Sequence, residues 1–446
     1  MKLLVSILCL LLAACGDSAS PSSGGHDGAS KPNVVVVVVD TLRPDHLPLY
    51  GYSTNTAPFL SALSTRSVVF RRAFSSSTWT APATASLFTS LYPLQHGVLE
   101  GFFVHRTRTA ESGQADTQSV TLNRLPDNTP TLPEHFARAG WQTFGVVANV
   151  NITERLGFQR GFAQFRDFTG LEYGKGGAAD LVLEQLRSWK PALSAGPHFL
   201  YVHLNDVHSP WRDRENVLAT EHDMLTKNRM AYDSEIRFVD TMLGKAYTEL
   251  GWSKNTILCI VSDHGEEFME HGQTGHNLSV YRELMQVVML VSWPERWRGP
   301  REVVENASLI DVFPTLVELS GAPYVAGLEG RSLVDVVEGR ATVGERALVA
   351  HRIDRRVGGE LWAVVRGDWK LIQRVGGGEE LYRVSRDPAE KLDLAAEEVA
   401  VVQELRRELE GFRARAKRIG GEAIDVQLDA AEIEKLKTLG YAGDEK

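Results

Sequence analysis

Six consecutive valines, residues 34–39, run directly into Asp40, and this feature limits most strongly how the chain can fold. An uninterrupted β-branched run is typical of a strand buried on both faces, as in a parallel sheet. A second apolar run, residues 256–261, is followed after one serine by Asp263 and His264. Because the carboxyl ends of parallel strands meet at one edge of a sheet, the three polar side chains are predicted to lie together. Two carboxylates and an imidazole at one point are typical of a metal site.

The remainder of the chain extends this pattern. Further strands are predicted at residues 143–147, 198–204 and 286–291, and helical periodicity is present at residues 57–67, 131–139 and 228–250. The alternation predicts an α/β domain with a mostly parallel central sheet flanked by helices. With 446 residues, the chain has room for one large domain of this kind and a smaller one.

The character of the sequence changes near its C-terminal quarter. Residues 347–387 contain short apolar runs interrupted by glycines, which predicts a small antiparallel sheet. Apolar residues then recur on one helical face at Val402, Leu405, Leu409 and Phe412. A helix that packs on the small sheet is therefore expected. We place a catalytic α/β domain at residues 32–340 and a C-terminal α+β subdomain at residues 341–446.

The N-terminus carries an export signal of one lysine, a short apolar stretch and small residues before Cys15. The apolar stretch is too short for a stable membrane span. Residues 12–15 look like a bacterial lipobox, which predicts a signal peptide at residues 1–14, lipid on Cys15 and a flexible tether at residues 15–31. An ordinary secretory signal with a chance cysteine is the alternative. We therefore expect the bacterial cell envelope as the location and a membrane as a partner through Cys15.

Charge and cysteine content exclude other classes. The net charge is −9 and the basic residues are scattered, which argues against nucleic acid as a partner. Cys259 would be the only thiol besides Cys15 once the signal is removed, so no disulfide framework is possible in the mature domain. Its position in an apolar run predicts a small core residue.

A third chemistry-bearing segment is the hydroxyl-rich stretch of residues 77–80, which precedes Pro82 and an alanine-rich run. Because proline is accepted in the first turn of a helix, a buried helix is predicted to begin near Thr80. The Thr80 hydroxyl would then lie at a helix N-terminus, where backbone N–H groups favour an anion. Taken alone the signal is weak, since most such turns are only helix caps.

Several motifs follow one another along the chain: Asp40 after its strand, Thr80-x-Pro82, Pro93-x-x-His96-Gly97, residues 203–211, Asp263-His264-Gly265-Glu266, Tyr281-x-Glu283-Leu284 and residues 369–372. In this order they resemble the sulfatase family of the alkaline phosphatase superfamily. The resemblance extends from about residue 32 to the C-terminus. It implies an alkaline phosphatase-like fold and an enzyme that hydrolyses sulfate or phosphate esters.

The nucleophile position departs from the family pattern. Sulfatases carry Cys or Ser two residues before the proline and oxidise it to formylglycine, whereas this chain has Thr80, a secondary alcohol that would not yield that aldehyde. Thr84 stands where the family has Arg, and Thr41 where it has the second Asp of a metal pair. What remains is similar to threonine-using members of the superfamily that transfer phosphoglycerol or phosphoethanolamine groups.

The resemblance also implies roles for individual residues. The metal ligands would be Asp40, Thr80, Asp263 and His264, around one divalent ion: calcium, magnesium, manganese or zinc. The ion would lower the pKa of the Thr80 hydroxyl, which then attacks as the nucleophile. His208 would act as general acid at the leaving group, and His276 would bind and steady the substrate anion.

Other candidates carry open alternatives. His96 matches a family histidine that orders the nucleophile loop or contacts substrate, or it is purely structural. Asn149 is a candidate substrate contact, near where many sulfatases have catalytic Lys and His. Glu266 and Glu267 either support the site residues or form a solvated charge pair. Asp45 is a further ligand or, as we favour, a helix cap.

The predicted function is a metal-dependent hydrolase of sulfate or phosphate esters with a threonine nucleophile. Its substrate would be a sulfated or phosphorylated small molecule, glycan or lipid. A phosphoryl-group transferase acting on envelope lipids or glycans, and a non-catalytic binding protein, are the alternatives. Substrate choice would come from loops at residues 102–128 and 211–230, in which no recognisable pattern occurs.

Overall fold

A computed structural model of the protein describes residues 31–99, 119–168, 178–216, 219, 223–354, 359–417 and 423–427. The predicted signal peptide, Cys15 and nearly all of the predicted tether lie outside the described residues, as do parts of both predicted specificity loops. The described residues, all from Lys31 onward, belong to one compact unit. Within the described ranges, no helix is both long and apolar enough to cross a membrane.

The strands, in chain order, are β1 Asn33–Val39, β2 Ser67–Phe74, β3 Ser119–Asn123, β4 Gln142–Val147, β5 Gln164–Asp167, β6 His198–Leu204, β7 Thr256–Val261, β8 Glu267–Phe268, β9 Thr274–Gly275, β10 Gln286–Val287, β11 Met289–Ser292, β12 Arg301–Ser308, β13 Leu348–Asp354, β14 Gly359–Arg366, β15 Trp369–Arg374, β16 Glu379–Arg383 and β17 Ala423–Gln427. The helices are α1 Pro58–Ser64, α2 Thr80–Thr89, α3 Pro93–His96, α4 Leu132–Arg138, α5 Ala178–Leu193, α6 Met224–Glu249, α7 Arg282–Met285, α8 Val312–Ser320, α9 Val334–Val337 and α10 Val399–Arg415.

The central sheet has the strand order β10-β2-β11-β7-β1-β6-β4-β5, and β12 also pairs with β2. At its centre β1 runs parallel to β6 on one side and to β7 on the other, so that Val38 lies opposite both His203 and Val261. β4 is parallel to β5 and β6. The predicted α/β fold with a mostly parallel sheet is therefore confirmed.

One edge of the sheet runs differently from the centre. The predicted strand at residues 286–291 is divided into β10 and β11, which are antiparallel to β2, and β11 is also antiparallel to β7. A parallel connection needs a crossover to the opposite end of the sheet. Here the chain after β7 stays at the carboxyl edge, where the Ser262 N–H donates to the Val288 carbonyl, so it re-enters the sheet in the reverse direction.

The valine run explains how the sheet is covered. Val34, Val36 and Val38 belong to one apolar core, on the face covered by helices α2, α4 and α8. Their neighbours Val35, Val37 and Val39 belong to a second core, on the face covered by α1, α5 and α6. Successive side chains of a strand point to opposite faces, so only an uninterrupted apolar run fills both cores.

Strands β13 to β16 form the predicted small antiparallel sheet. Helix α10 packs on it, as predicted, through Val402, Leu405, Leu409 and Phe412. Two hydrogen bonds join the small sheet to loops beside the central sheet: the His351 N–H donates to the Ser76 carbonyl at 3.0 Å, and Arg352 Nε donates to the Asn277 carbonyl at 2.6 Å. Ser76 lies four residues before Thr80, and Asn277 directly follows His276.

Candidate active site

The carboxyl ends of four adjacent strands, β7, β1, β6 and β4, carry polar side chains at one edge of the sheet. Asp40 follows β1 directly, and Asp263 follows β7 after one residue. Asn205 follows β6, and Asn149 lies two residues beyond β4. Ligand sites of open α/β sheets lie outside the carboxyl ends of the strands, so the active site is expected at this edge.

The four residues predicted as metal ligands lie together there. His264 Nε2 is 3.4 Å from Asp40 Oδ1 and 3.7 Å from Asp263 Oδ2. Thr80 Oγ1 is 3.3 Å from His264 Nε2 and 3.5 Å from Asp40 Oδ2. All four side chains are buried. The hydroxyl, the imidazole and the two carboxylates therefore converge on one point.

Helix α2 positions the Thr80 hydroxyl. Thr80 is the first residue of this helix, and every residue of the helix is buried. The backbone N–H groups of the first turn lack partners within the helix, and the helix dipole adds positive potential there. An anionic group held in front of Thr80 would face both the hydroxyl and the helix N-terminus.

The tautomer of His264 follows from its neighbours. Its Nδ1–H donates to the Gly265 carbonyl at 2.9 Å. The lone pair is then on Nε2, the nitrogen nearest Asp40, Asp263 and Thr80. A backbone carbonyl that fixes the outer nitrogen in this way is the usual support for a metal-binding histidine.

Electrostatics favour a cation at this point. Burial, together with repulsion from Asp263, raises the pKa of Asp40 to about 7. Burial also acts to raise the pKa of Asp263, but the neighbouring His264 and His203 outweigh it and lower that pKa to about 2. Among the described residues, Asp40 Oδ1 and Asp263 Oδ2 have no hydrogen-bond partner. A divalent ion between these oxygens would relieve the repulsion and supply the missing partner, so the residues fit a metal.

Sequence reasoning did not single out His203 as a site residue. It lies inside strand β6, is fully buried, and belongs with Asp40 and Asp263 to a group whose ligand-type atoms all lie within 4.8 Å of one another. The available sequence signal for a role in the site is a histidine near the end of a strand that neighbours the valine strand. The sequence alone does not distinguish this histidine from an ordinary residue of the predicted strand at residues 198–204.

Thr41 stands where the family resemblance implies a second aspartate. Its hydroxyl donates to the Val207 carbonyl at 2.9 Å, and its N–H donates to Asp263 Oδ1 at 3.3 Å. The side chain is thus engaged with the neighbouring loop, while the backbone helps to orient Asp263.

Asn149 contacts Asp40. Its Nδ2 donates to Asp40 Oδ2 at 2.7 Å and to Asn205 Oδ1 at 2.8 Å, and its Oδ1 accepts from the Asn151 N–H at 2.8 Å. These bonds hold one oxygen of Asp40 and leave Oδ1 directed to the cluster. The predicted substrate contact of Asn149 stays a prediction.

His208, His276 and Glu266 form one side of the site. The His276 ring lies 4.8 Å from the rings of both His208 and His264, measured between centroids. The His276 Nδ1–H donates to Glu266 Oε1 at 3.1 Å. Burial and the neighbouring His276 lower the pKa of His208 to about 4, and burial raises the pKa of Glu266 to about 7.

The structure places His96 beneath helix α2. It is fully buried, its Nε2 is 3.0 Å from Ser86 Oγ, and its Nδ1 accepts from the Val98 N–H at 3.1 Å. Burial lowers its pKa to about 3, so the ring is neutral. These contacts connect His96 to the helix that carries Thr80; direct contact with substrate stays a prediction.

Glu266 and Glu267 are not a solvated charge pair, because both are buried. Glu267 Oε1 accepts from the N–H groups of His271 and Gln273, each at 3.0 Å. Asp45 is not a helix cap: its carboxylate is bound by Arg43 at 2.8 Å. These acids hold the loops around the site in place.

Comparison with known proteins agrees with the fold and the site. The sulfatase family model matches residues 32–322, and the C-terminal model of N-sulphoglucosamine sulphohydrolase matches residues 270–415. The chain therefore belongs to the sulfatase family, and the protein is a hydrolase. Proteins of this family generally bind a divalent metal, and the acidic and histidine groups described above could hold one.

Two relatives from Bacteroides thetaiotaomicron match nearly the whole chain. A Delta 4,5-hexuronate-2-O-sulfatase is 22% identical and covers 97% of each chain. An N-acetylgalactosamine-6-O-sulfatase is 22% identical and covers 91% of this chain and 97% of its own. Among solved structures, the phosphonate monoester hydrolase of Agrobacterium radiobacter has a TM-score of 0.67 at 20% identity, covering 89% of this chain and 97% of its own. At that identity the structural likeness shows a shared fold.

Proposed function

We propose that the protein is a metal-dependent hydrolase of sulfate esters on sugars, with Thr80 as an unmodified nucleophile. The observation that carries the proposal is the position of Thr80 Oγ1 at the N-terminus of helix α2, 3.3 Å from His264 Nε2 and 3.5 Å from Asp40 Oδ2. The sugar sulfatases among the relatives support the substrate class.

The chain's own residues supply the steps of the reaction. Thr80 Oγ attacks the sulfur while its proton passes along the hydrogen bond to Asp40 Oδ2. The bond from sulfur to the sugar oxygen breaks, and that oxygen takes a proton from His208, whose pKa the bound substrate anion raises so that the ring is protonated in the complex. Water then attacks the sulfur of the Thr80 ester and gives a proton to the now neutral His208, while the proton on Asp40 returns to Oγ as its bond to sulfur breaks, which restores the hydroxyl and releases hydrogen sulfate.

A divalent ion bound by Asp40, Asp263 and His264 would supply Lewis-acid chemistry, which lowers the pKa of the nucleophile and stabilises negative charge on the substrate oxygens. His276, held by Glu266, lies where it can meet the same anion. The N-terminus of helix α2 adds backbone donors. Substrate recognition thus combines several donors around one tetrahedral anion.

A phosphate or phosphonate ester is the second candidate, and Thr80 itself favours it. Formylglycine, as its hydrate, has a second hydroxyl on the same carbon, which can expel a bound sulfate. A threonine ester lacks that hydroxyl, so its release requires attack on sulfur or phosphorus. The same anion-binding groups would hold either tetrahedral centre.

The test is a paired assay of the purified protein on an aryl sulfate, an aryl phosphate, a phosphodiester and a phosphonate monoester, each with calcium, magnesium, manganese and zinc. Thr80→Ala is expected to lower kcat at least a hundredfold. Thr89→Ala, at the far end of the same buried helix, serves as the matched control and retains activity. Full turnover by Thr80→Ala, or failure on every substrate with every metal, contradicts the proposal.

The general acid has its own test. A proton donor matters most when the leaving group is basic. His208→Asn is therefore expected to slow an alkyl sulfate much more than a 4-nitrophenyl sulfate. An equal loss on the two substrates argues against a proton transfer from His208.

Lipid anchoring in the bacterial envelope is a further part of the proposal, supported by the sequence of residues 12–15. In a bacterial host the protein is expected to partition into a detergent phase, and Cys15→Ser to partition into the aqueous phase. Identical partitioning of the two forms contradicts the anchor.

A further inference from the structure

His203 is fully buried, yet among the described residues neither of its ring nitrogens has a hydrogen-bond partner. Buried polar groups are nearly always paired, and an unpaired one costs roughly 1–3 kcal/mol. A neutral imidazole carries a donor and an acceptor, so His203 leaves both unused. Its nearest carboxylate oxygen, Asp263 Oδ2 at 3.8 Å, lies beyond hydrogen-bond distance, so a further partner that is not a protein atom is expected.

The distances around His203 suit a metal ion. His203 Nε2 is 3.8 Å from Asp263 Oδ2, close to the 3.7 Å between His264 Nε2 and the same oxygen. Zinc–ligand distances of about 2.0–2.1 Å place two ligand atoms roughly 3.3 Å apart at a tetrahedral angle. Asp263 Oδ2 thus lies near two imidazole nitrogens, and a small contraction of the cluster would bring them within reach of one ion.

We infer that His203 is a protein ligand of the metal and replaces the carboxylate that Thr41 does not supply. The Thr41 hydroxyl is engaged by the Val207 carbonyl at 2.9 Å. His203 reaches the same cluster from β6, the strand beside β1. This inference rests on the metal dependence in the proposed function.

The consequence concerns metal choice. Asp40, Asp263, His264 and His203 together form a set of two carboxylates and two imidazoles. Calcium and magnesium prefer oxygen ligands, whereas imidazole suits zinc and other first-row transition ions. The site should therefore select zinc over calcium and magnesium.

The affinity test uses chelator competition for Zn²⁺ and Ca²⁺ on the full protein. His203→Gln is expected to weaken Zn²⁺ binding at least tenfold and to change Ca²⁺ binding much less. His203→Asp, which restores a third carboxylate, should shift the preference toward Ca²⁺. His198→Gln is the matched control, a buried histidine on the same strand whose ring bonds the Gly196 carbonyl, and it should bind both ions as the parent does. Thermal melts of the metal-free proteins identify variants that fail to fold.

A direct readout is the number of imidazole nitrogens bound to the metal, measured by pulsed electron paramagnetic resonance of the Mn²⁺- or Cu²⁺-loaded protein. Two imidazoles are expected in the parent and one in His203→Gln. One imidazole in both, or unchanged Zn²⁺ affinity in His203→Gln, overturns the inference and makes His203 an ion-pair partner of Asp263. A parent protein that binds no metal would instead contradict the metal dependence of the proposed function.

Discussion

Removing the Asn149 side chain is expected to weaken metal binding by loosening Asp40. Asn149 Nδ2 donates to Asp40 Oδ2 at 2.7 Å and to Asn205 Oδ1 at 2.8 Å, so Asn149→Ala deletes both bonds. A hydrogen bond to a charged group contributes about 1.5–3 kcal/mol. Within the described part of the chain, that oxygen accepts one further hydrogen bond, the longer one from the Thr80 hydroxyl at 3.5 Å. Because about 1.4 kcal/mol corresponds to a tenfold change, metal affinity should fall roughly 10- to 100-fold.

The assay is equilibrium metal binding by chelator competition, followed by kcat and KM at saturating metal. Asn306→Ala is the matched control, since Asn306 is a buried asparagine whose Nδ2 donates to the Gly367 carbonyl and not to a residue of the site. Excess metal should restore most of the activity of Asn149→Ala. Unchanged metal affinity combined with a raised KM would refute this reasoning and would indicate that Asn149 contacts the substrate instead.

Two further predictions concern stability. Lys370 and Glu390 form a fully buried ion pair at 2.8 Å. Lys370→Met leaves the Glu390 carboxylate buried without its partner and should lower the free energy of unfolding by about 3–5 kcal/mol in urea titrations, whereas the double variant Lys370→Met with Glu390→Gln should recover much of that loss. A loss in Lys370→Met no larger than that of a surface variant would contradict this. Burial raises the pKa of Asp206 to about 7, of Glu266 to about 7 and of Asp240 to about 6, so between pH 4.5 and 6 the folded state holds protons that the unfolded state has released. Each of these carboxyl groups acts to lower the free energy of unfolding as pH rises through this range, by up to about 1.4 kcal/mol per pH unit, whereas the buried His96 and His208, whose pKa values are lowered to about 3 and about 4, act in the opposite direction. Asp240→Asn should therefore remove one falling contribution, and an identical pH dependence of unfolding for the metal-free parent and variant would refute the reasoning.

The burial of the valine strand on both faces of the sheet was the part of the fold that could best be predicted from the sequence. The valine run has no other stable place than the centre of a covered sheet, and the structure puts it there. Whether the strand at residues 286–291 pairs in the parallel or the antiparallel direction could not be predicted from the sequence, because local strand propensity is the same for both. Direction depends on whether the chain crosses the sheet after β7, which is set by the loop at residues 262–285.

The residues of the candidate site likewise divide into those that the sequence predicts and those that it does not. Asp40, Asp263 and His264 follow strand ends, and strand ends are visible in the sequence. His203 lies within a strand and Asn205 just after one, and their proximity to Asp40 depends on the pairing of β6 with β1. Glu266 was ambiguous because its burial follows from the packing of the loop around it, which periodicity does not encode.

The central claim is that Thr80, without modification, forms the covalent intermediate. The most direct measurement is mass spectrometry of the acid-quenched, metal-loaded protein during turnover of an aryl sulfate or aryl phosphate. The account predicts a sulfuryl or phosphoryl group on the peptide that contains Thr80, located at that residue and absent from Thr80→Ala. An active enzyme with no adduct at Thr80, or an adduct at another residue, would contradict it.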